Sequence, residues 1–351
     1  MKINVKKITN PTESELEDII QLQKDGWDLK GDSLVDKDVL KVMAKHGLVL
    51  GAYGDNESIK EKYNGDLVGF SLSYNSWDEN LLNALENTPN VPSHIRDSIK
   101  SLGKYYYEFE HYSHMLATRK NLRGQNIGLQ LKKAQGKEVL KQGLRFMTWT
   151  YDPLFSRNAN LNINSLDGFV SGEKGYQPDA YGSDVEGNYD EFPTDRFWVK
   201  WNLRNYNSEK SATNLQQYLS DGGKVITETE NETINDGKGN TFNFRKFKSI
   251  NTGNREKYLL LEIPTNIDDD TLIDYDGDDD RGENKNDLRL PWRMALRDAF
   301  QNSFFKKDND INYKVVDFVT KKTDNKDAYG MRAFYVLERM ITKTHERCED
   351  F

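Results

Sequence analysis

The sequence is poor in cysteine and has no long apolar run. Its 351 residues include one cysteine, Cys348, close to the C-terminal end. A single thiol excludes an intramolecular disulfide and any metal site built from several cysteines, and this fits a reducing compartment. No apolar stretch reaches the length of a bilayer-spanning helix, and the first residues lack the apolar segment of a secretory signal. We therefore expect a cytoplasmic protein with no membrane partner.

Basic residues do not outnumber acidic residues in the sequence. There are 49 Lys and Arg against 57 Asp and Glu, which gives a net charge of −8. This balance argues against a large basic face, so we expect no nucleic-acid partner. The histidines show no metal-ligand spacing, and the acidic loop near 268–286 has Asp279 and Lys285 where a calcium loop needs glycine and glutamate. We expect no bound metal.

The apolar periodicity predicts a mixed α/β fold. Hydrophobic residues make up 36% of the chain, enough for a modest core, and the length suggests two domains. A polar stretch after residue 205 suggests domains at 1–205 and 206–351. We expect strands at about 3–8, 48–53, 67–74, 105–118, 144–151, 195–203, 240–247, 257–263, 313–320 and 332–340. We expect helices from Thr12, at 36–45, 127–142, 157–166 and 212–219, from Pro291, and in short pieces at 81–86 and 94–102.

The most informative segment runs from His114 to Phe169 and is predicted to form a strand, a glycine-containing loop, a helix, a strand and a helix. The loop reads Arg123-Gly124-Gln125-Asn126-Ile127-Gly128. A helix N-terminus presents free backbone N–H groups and a positive dipole end, which suits a pyrophosphate. An ordinary strand-to-helix turn is the alternative.

These residues resemble the GNAT superfamily of acyl-CoA N-acyltransferases. Its fingerprint ends a strand with a motif like Leu116-Ala117-Thr118 and opens a helix with Arg/Gln-x-x-Gly-x-Gly/Ala. Arg123 takes the first position of that motif and Gly128 the last, while Asn126 replaces the middle glycine, a mild departure because Asn tolerates a left-handed backbone. Asn158-Ala159 and Gly168-Phe169 match a downstream pattern. The runs RGQNIG, TWTYDPLFSRNANLN and PTDRFWVKW resemble a branch of predicted GNAT acetyltransferases.

The resemblance implies a GNAT-type mixed, V-splayed sheet with helices on both faces, and acetyl-CoA or another acyl-CoA as cosubstrate. It implies that the backbone amides of Leu116, Ala117 and Thr118 stabilise the oxyanion. Asn158 would contact the cofactor, or it only caps a helix. The pyrophosphate would be held by the loop residues Arg123, Gly124, Gln125, Asn126, Ile127 and Gly128.

The general base is expected on the strand before the loop. By alternation, Glu110, Tyr112 and His114 share one face, and either His114 or Glu110 is positioned to accept a proton. The alternative for His114 is a hydrogen-bonded core residue. The family's usual tyrosine acid would fall at Asn164 or Ser165. Either Tyr151, Tyr176 or Tyr181 replaces it, or the thiolate leaves unassisted.

Asp152 and Arg157 either bind a charged acceptor or pair with each other. The expected activity is transfer of a short acyl group, by direct attack on the thioester, to an amine of a small molecule or peptide. The alternative is a non-catalytic CoA-binding or sensing module. The C-terminal α/β lobe would cover the cleft or form a homodimer. The order strand, helix, strand, strand occurs near 105–203 and again near 257–340. The C-terminal lobe is therefore either a degenerate GNAT-like half or a common α/β unit.

Overall fold

The computed structural model describes residues 2–27, 34–55, 67–77, 109–181, 192–206, 213–235, 241–265, 267, 288–306, 312–322 and 331–340. Two compact units interleave along the sequence: Met1–Trp149, Asp184–Tyr189 and Lys200–Ser208 form the first, and Thr150–Ser183, Asp190–Val199 and Glu209–Phe351 form the second. The division into domains at residue 205 stays a prediction. The predicted helical pieces at 81–86 and 94–102 and the acidic loop at 268–286 fall outside the described residues.

Each predicted helix and strand within the described residues has a counterpart, and the structure adds strands at 170–171, 176–177, 224–225 and 227–235 that were not predicted. The α-helices are α1 (Glu13–Trp27), α2 (Lys37–His46), α3 (Ile127–Lys141), α4 (Ser156–Ala159), α5 (Leu215–Ser220) and α6 (Leu290–Ala299). The strands are β1 (Ile3–Lys7), β2 (Leu48–Gly54), β3 (Leu67–Trp77), β4 (Phe109–Thr118), β5 (Phe146–Tyr151), β6 (Val170–Ser171), β7 (Tyr176–Gln177), β8 (Arg196–Asn202), β9 (Lys224–Val225), β10 (Thr227–Asn235), β11 (Thr241–Ile250), β12 (Tyr258–Ile263), β13 (Asn312–Lys322) and β14 (Met331–Met340).

The first unit contains strands β1 to β4 and most of β5, which lie side by side in the order β1-β2-β3-β4-β5. The first four strands pair antiparallel, and β5 joins β4 in parallel. Neighbouring residues of β3 face opposite sides: Phe70 belongs to a core cluster with Leu16 and Ile19 of α1, whereas a Cβ on Gly69 would lie 3.3 Å from Cγ2 of Ile127 in α3. Helices therefore cover both faces of this sheet.

The start of α1 follows from its sequence. Glu15 accepts hydrogen bonds from the backbone N–H and the hydroxyl of Thr12, and Thr12 Oγ1 accepts one from the Glu15 N–H. This reciprocal pair is a capping box, which satisfies backbone donors that the first turn of a helix leaves without a partner.

An extra residue in β4 changes the direction of its side chains. Met115 is opposite Leu72 of β3, and Ser113 is opposite the next residue, Ser73, so His114 is a one-residue bulge. The faces reverse across it: Ser113 donates a hydrogen bond to Gln135 of α3, while Met115 lies in the core cluster beside α1.

The second unit contains another mixed sheet, in the order β6-β13-β14-β12-β9. Among the described strands of this sheet, β9 and β12 pair in parallel, and the other neighbours pair antiparallel. Strand β14 lies between β12 and β13, so this arrangement differs from the direct β4–β5 pairing of the first unit. Strand β7 pairs with β8, and β10 and β11 form a separate hairpin.

Aromatic side chains fill the core of the second unit. Phe197 of β8 contacts Phe300 at a centroid distance of 4.8 Å and Tyr335 of β14 at 5.3 Å. α4 and α6 each continue into a wider π-type turn, Asn160–Ser165 and Phe300–Phe304. In the part of the chain that the structure describes, no helix is both long and apolar enough to cross a membrane.

Candidate functional site

The loop before α3 has a backbone suited to binding an anion. Gly124 has φ +83° and Asn126 has φ 59° and ψ 19°, both left-handed, and residues 123–126 are exposed. Asn126 is the N-cap of α3, yet its side chain makes no capping hydrogen bond. The first N–H groups of a helix have no intrahelical acceptor, so those of Ile127 and Gly128 remain open to an external one.

Ile127 fixes the position of this helix start. Its side chain is 2% exposed and packs beside Gly69 of β3. A Cβ at Gly69 would also lie 2.9 Å from the carbonyl oxygen of Ala117, so glycine permits the close approach of β3, β4 and α3.

The C-terminal end of β4 presents two backbone N–H groups on the side of the strand that faces away from β3. The Arg119 N–H donates to the Val68 carbonyl, and donors alternate between the two edges of a strand. The N–H groups of Leu116 and Thr118 therefore point away from β3, whereas that of Ala117 points toward it. Parallel pairing with β5 occurs at His111–Met147 and Tyr112–Thr148 and has ended before these residues.

The two candidate bases lie on β4 in different environments. His114 is exposed at the bulge, with its ring near those of Tyr74 and Tyr112. Desolvation lowers the pKa of His114 below its ordinary value of 6.5, so the imidazole is neutral at pH 7. Glu110 is buried, accepts a hydrogen bond of 3.1 Å from Thr148 Oγ1, and lies 3.8 Å from Lys200 Nζ.

The tyrosines considered as acids belong to the second unit. Tyr151 is buried, and its hydroxyl is 3.0 Å from that of Tyr335. Burial raises the pKa of Tyr151 and of Tyr176, and the Tyr176 hydroxyl donates to Asp195. Tyr181 differs because it is 52% exposed, with its hydroxyl 3.0 Å from Thr150 Oγ1.

The two residues predicted to bind the acceptor, Asp152 and Arg157, have different surroundings. Asp152 binds the guanidinium of Arg293, lies 3.5 Å from Arg196, and accepts the Leu154 N–H. Arg157 and Asn158 are exposed in α4. The charge of Asp152 is thus matched by arginines that the sequence motifs did not indicate.

Sequence reasoning missed Tyr74 and Lys200, which lie beside the candidate bases. Tyr74 is directly opposite Tyr112 in the β3–β4 ladder, and Lys200 comes from β8. The signals were present but weak: Lys200 is an outward position in the alternating strand FWVKW, and Tyr74 depends on the strand register, which a sequence alone does not give.

Comparisons with solved structures find acetyltransferases. Arabidopsis thaliana NAA60 in complex with acetyl-CoA matches at 12% identity and a TM-score of 0.40, covering 58% of this chain and 99% of that one. An agmatine N-acetyltransferase matches at 11% identity and a TM-score of 0.36, covering 57% and 100%. An IAA acetyltransferase from Bacillus cereus matches at 12% identity and a TM-score of 0.33, covering 57% and 99%.

No protein-family model matches the chain, and no curated protein matches it. At these identities and TM-scores, the structural likenesses do not assign a family or an activity to this chain.

Proposed function

We propose that the first unit binds an acyl-CoA and transfers a short acyl group, most simply acetyl, to an amine. The observation that carries this proposal is the junction between β4 and α3. There, the end of β4, which has no partner on its β5 side among the described residues, leads through an exposed left-handed loop into a helix start whose N-cap side chain makes no capping hydrogen bond. The amides of Gln125 to Gly128 would bind the pyrophosphate, and Arg123 would add positive charge.

The residues of β4 supply the groups that aminolysis of a thioester requires. The amine nitrogen attacks the carbonyl carbon, the carbon–sulfur bond breaks, and CoA leaves as the thiolate. The N–H groups of Leu116 and Thr118 are oriented to stabilise the negative oxygen. The proton lost by the amine passes to His114 or Glu110. Because the His114 ring is neutral at pH 7, it can accept that proton directly.

Binding of CoA, measured by calorimetry, tests the loop separately from the chemistry. Gly128→Val places a branched side chain beside the amides that would hold the pyrophosphate, so we expect CoA affinity to fall at least about tenfold. Lys137→Val is the matched control, because Lys137 is exposed on the same helix and lies beyond its first turn. Pantetheine, which lacks the pyrophosphate, should bind both variants equally. Normal CoA binding by folded Gly128→Val would refute the loop assignment.

A non-catalytic CoA-binding module is the second candidate. It is favoured because the hydroxyls of Tyr151 and Tyr176 are buried and hydrogen-bonded, which makes them poorly suited to protonate a thiolate. Of the three tyrosines considered as acids, Tyr181 is the exposed one. Release of free thiol from acetyl-CoA with a panel of amines distinguishes the two candidates. CoA binding without thiol release on any amine would support the module, whereas amine-dependent thiol release that is lost in His114→Ala or in Glu110→Gln would support the enzyme.

A further inference from the structure

Three rings form a continuous aromatic surface on one face of β3 and β4. Tyr74 and Tyr112 are 5.6 Å apart between centroids, Tyr74 and His114 are 6.1 Å apart, and Tyr112 and His114 are 6.3 Å apart. The rings are tilted by 39° to 51° to one another, so their faces do not cover each other as in a stack. We call these three residues the ring platform.

The platform is open to solvent at the bulge. Tyr74 is 38% exposed, and His114 is exposed although it lies within a central strand. Exposed rings that are grouped on one face, rather than scattered singly, form a contiguous surface that a ligand can cover. The reversal of faces at the bulge sends Met115 into the core and leaves His114 on the side of Tyr112.

A carboxylate lies on the same face of β4 as the platform. Glu110 precedes Tyr112 by two positions on β4, so its side chain starts on the same face, and it is buried there. Lys200 at 3.8 Å partly balances this carboxylate. A ring face attracts cations through its quadrupole, and the attraction is strongest where water is partly excluded. The neutral state of His114 keeps its ring from repelling a cation.

We propose that the ring platform of Tyr74, Tyr112 and His114 binds the acceptor as an organic ammonium ion. This inference rests on the proposed function and narrows its substrate to cationic alkylamines. The ammonium is held over the ring faces, gives one proton to His114 or Glu110, and then attacks as the neutral amine. Neutral and anionic acceptors gain nothing from the platform.

Choline and its neutral isostere 3,3-dimethylbutan-1-ol test the proposal without any turnover. Ligand-observed NMR titration of the full chain should show choline binding at least about fivefold more tightly than the neutral alcohol. Tyr74→Leu keeps an apolar side chain but removes the π-face, so the affinity for choline should fall about fivefold. Tyr74→Phe keeps the π-face and should stay within about twofold of the unmodified chain. Thermal unfolding of both variants verifies that they fold, and Tyr112→Leu repeats the test on the second ring.

Equal binding of choline and the neutral alcohol would overturn the proposal and leave only an apolar surface. Unchanged choline affinity in folded Tyr74→Leu and Tyr112→Leu would overturn it as well. These outcomes are distinct from failure of the proposed function, which would appear as absent CoA binding. A chain that binds choline in a ring-dependent way but does not bind CoA would keep the platform and refute the transferase.

Discussion

Asn126 provides the most direct test of the loop before α3. A left-handed conformation costs an ordinary L-residue roughly 1–2 kcal/mol, and glycine avoids that cost. The Asn126 side chain is exposed and makes no capping hydrogen bond, so replacing it removes no helix cap. The difference between Asn126→Gly and Asn126→Ala therefore isolates the backbone. Glycine loses about 0.4–1 kcal/mol through its freer unfolded chain, which leaves a net advantage over alanine of about 1 kcal/mol.

This free energy should appear in stability, in CoA affinity, or divided between them. If Asn126→Ala keeps the left-handed loop, its free energy of unfolding in urea falls by about 1 kcal/mol relative to Asn126→Gly. If the loop instead moves to another conformation, CoA must restore it, and affinity falls by up to about fivefold for the same 1 kcal/mol. Urea unfolding and calorimetry with CoA measure both. Alanine and glycine variants that match in stability and in affinity would refute the reasoning.

Three further predictions concern stability, each measured by urea unfolding. Burial by itself would raise the pKa of Asp195, but hydrogen bonds from Arg297 and Tyr176 hold it below the ordinary value of 3.8; its stabilisation is therefore present above pH 4 and is lost as the pH falls through the lower folded pKa. Asp195→Asn should cost about 3 kcal/mol at pH 7, and this cost should shrink progressively as the pH falls below 4; a cost that does not change with pH would contradict this. Gly168→Ala should cost about 2 kcal/mol, because its Cβ would lie 2.5 Å from the Asn162 carbonyl oxygen and 2.7 Å from Val199 Cγ1; a neutral effect would show that this turn can move. Thr12→Ala should cost about 1 kcal/mol through loss of the capping box, and Thr12→Ser should restore most of it; equal stability of the two variants would argue against the cap.

Elements with strong local signals could be predicted from the sequence. β8 alternates buried Phe197, Val199 and Trp201 with less buried neighbours, as its sequence indicates. α3 begins at Ile127 and is followed by Gly143 in a left-handed conformation, which is typical of helix ends. In both cases, the information lies within a few residues, so tertiary contacts did not need to be known.

Features set by distant partners could not be predicted. β10 has the sequence TETENETIN, whose polar residues at almost every position hide the period of a strand. Asp152 and Arg293 form an ion pair although they are 141 residues apart in sequence. Reasoning from neighbours considered only Arg157 for Asp152, because no local pattern indicates which distant cation will approach a carboxylate.

The bulge at His114 links the packing of the first unit to its candidate chemistry. Strict alternation would put Ser113, Met115 and Ala117 on one face, but Ser113 binds α3 while Met115 and Ala117 pack in the core beside α1. One added residue satisfies both faces, since it reverses the direction of every later side chain. The same residue lies just after the pairing of β4 with β5, before the amides of Leu116 and Thr118 that point away from β3. The requirement to pack two helices on opposite faces therefore also accounts for the exposed imidazole beside the amides on which the proposed transfer depends.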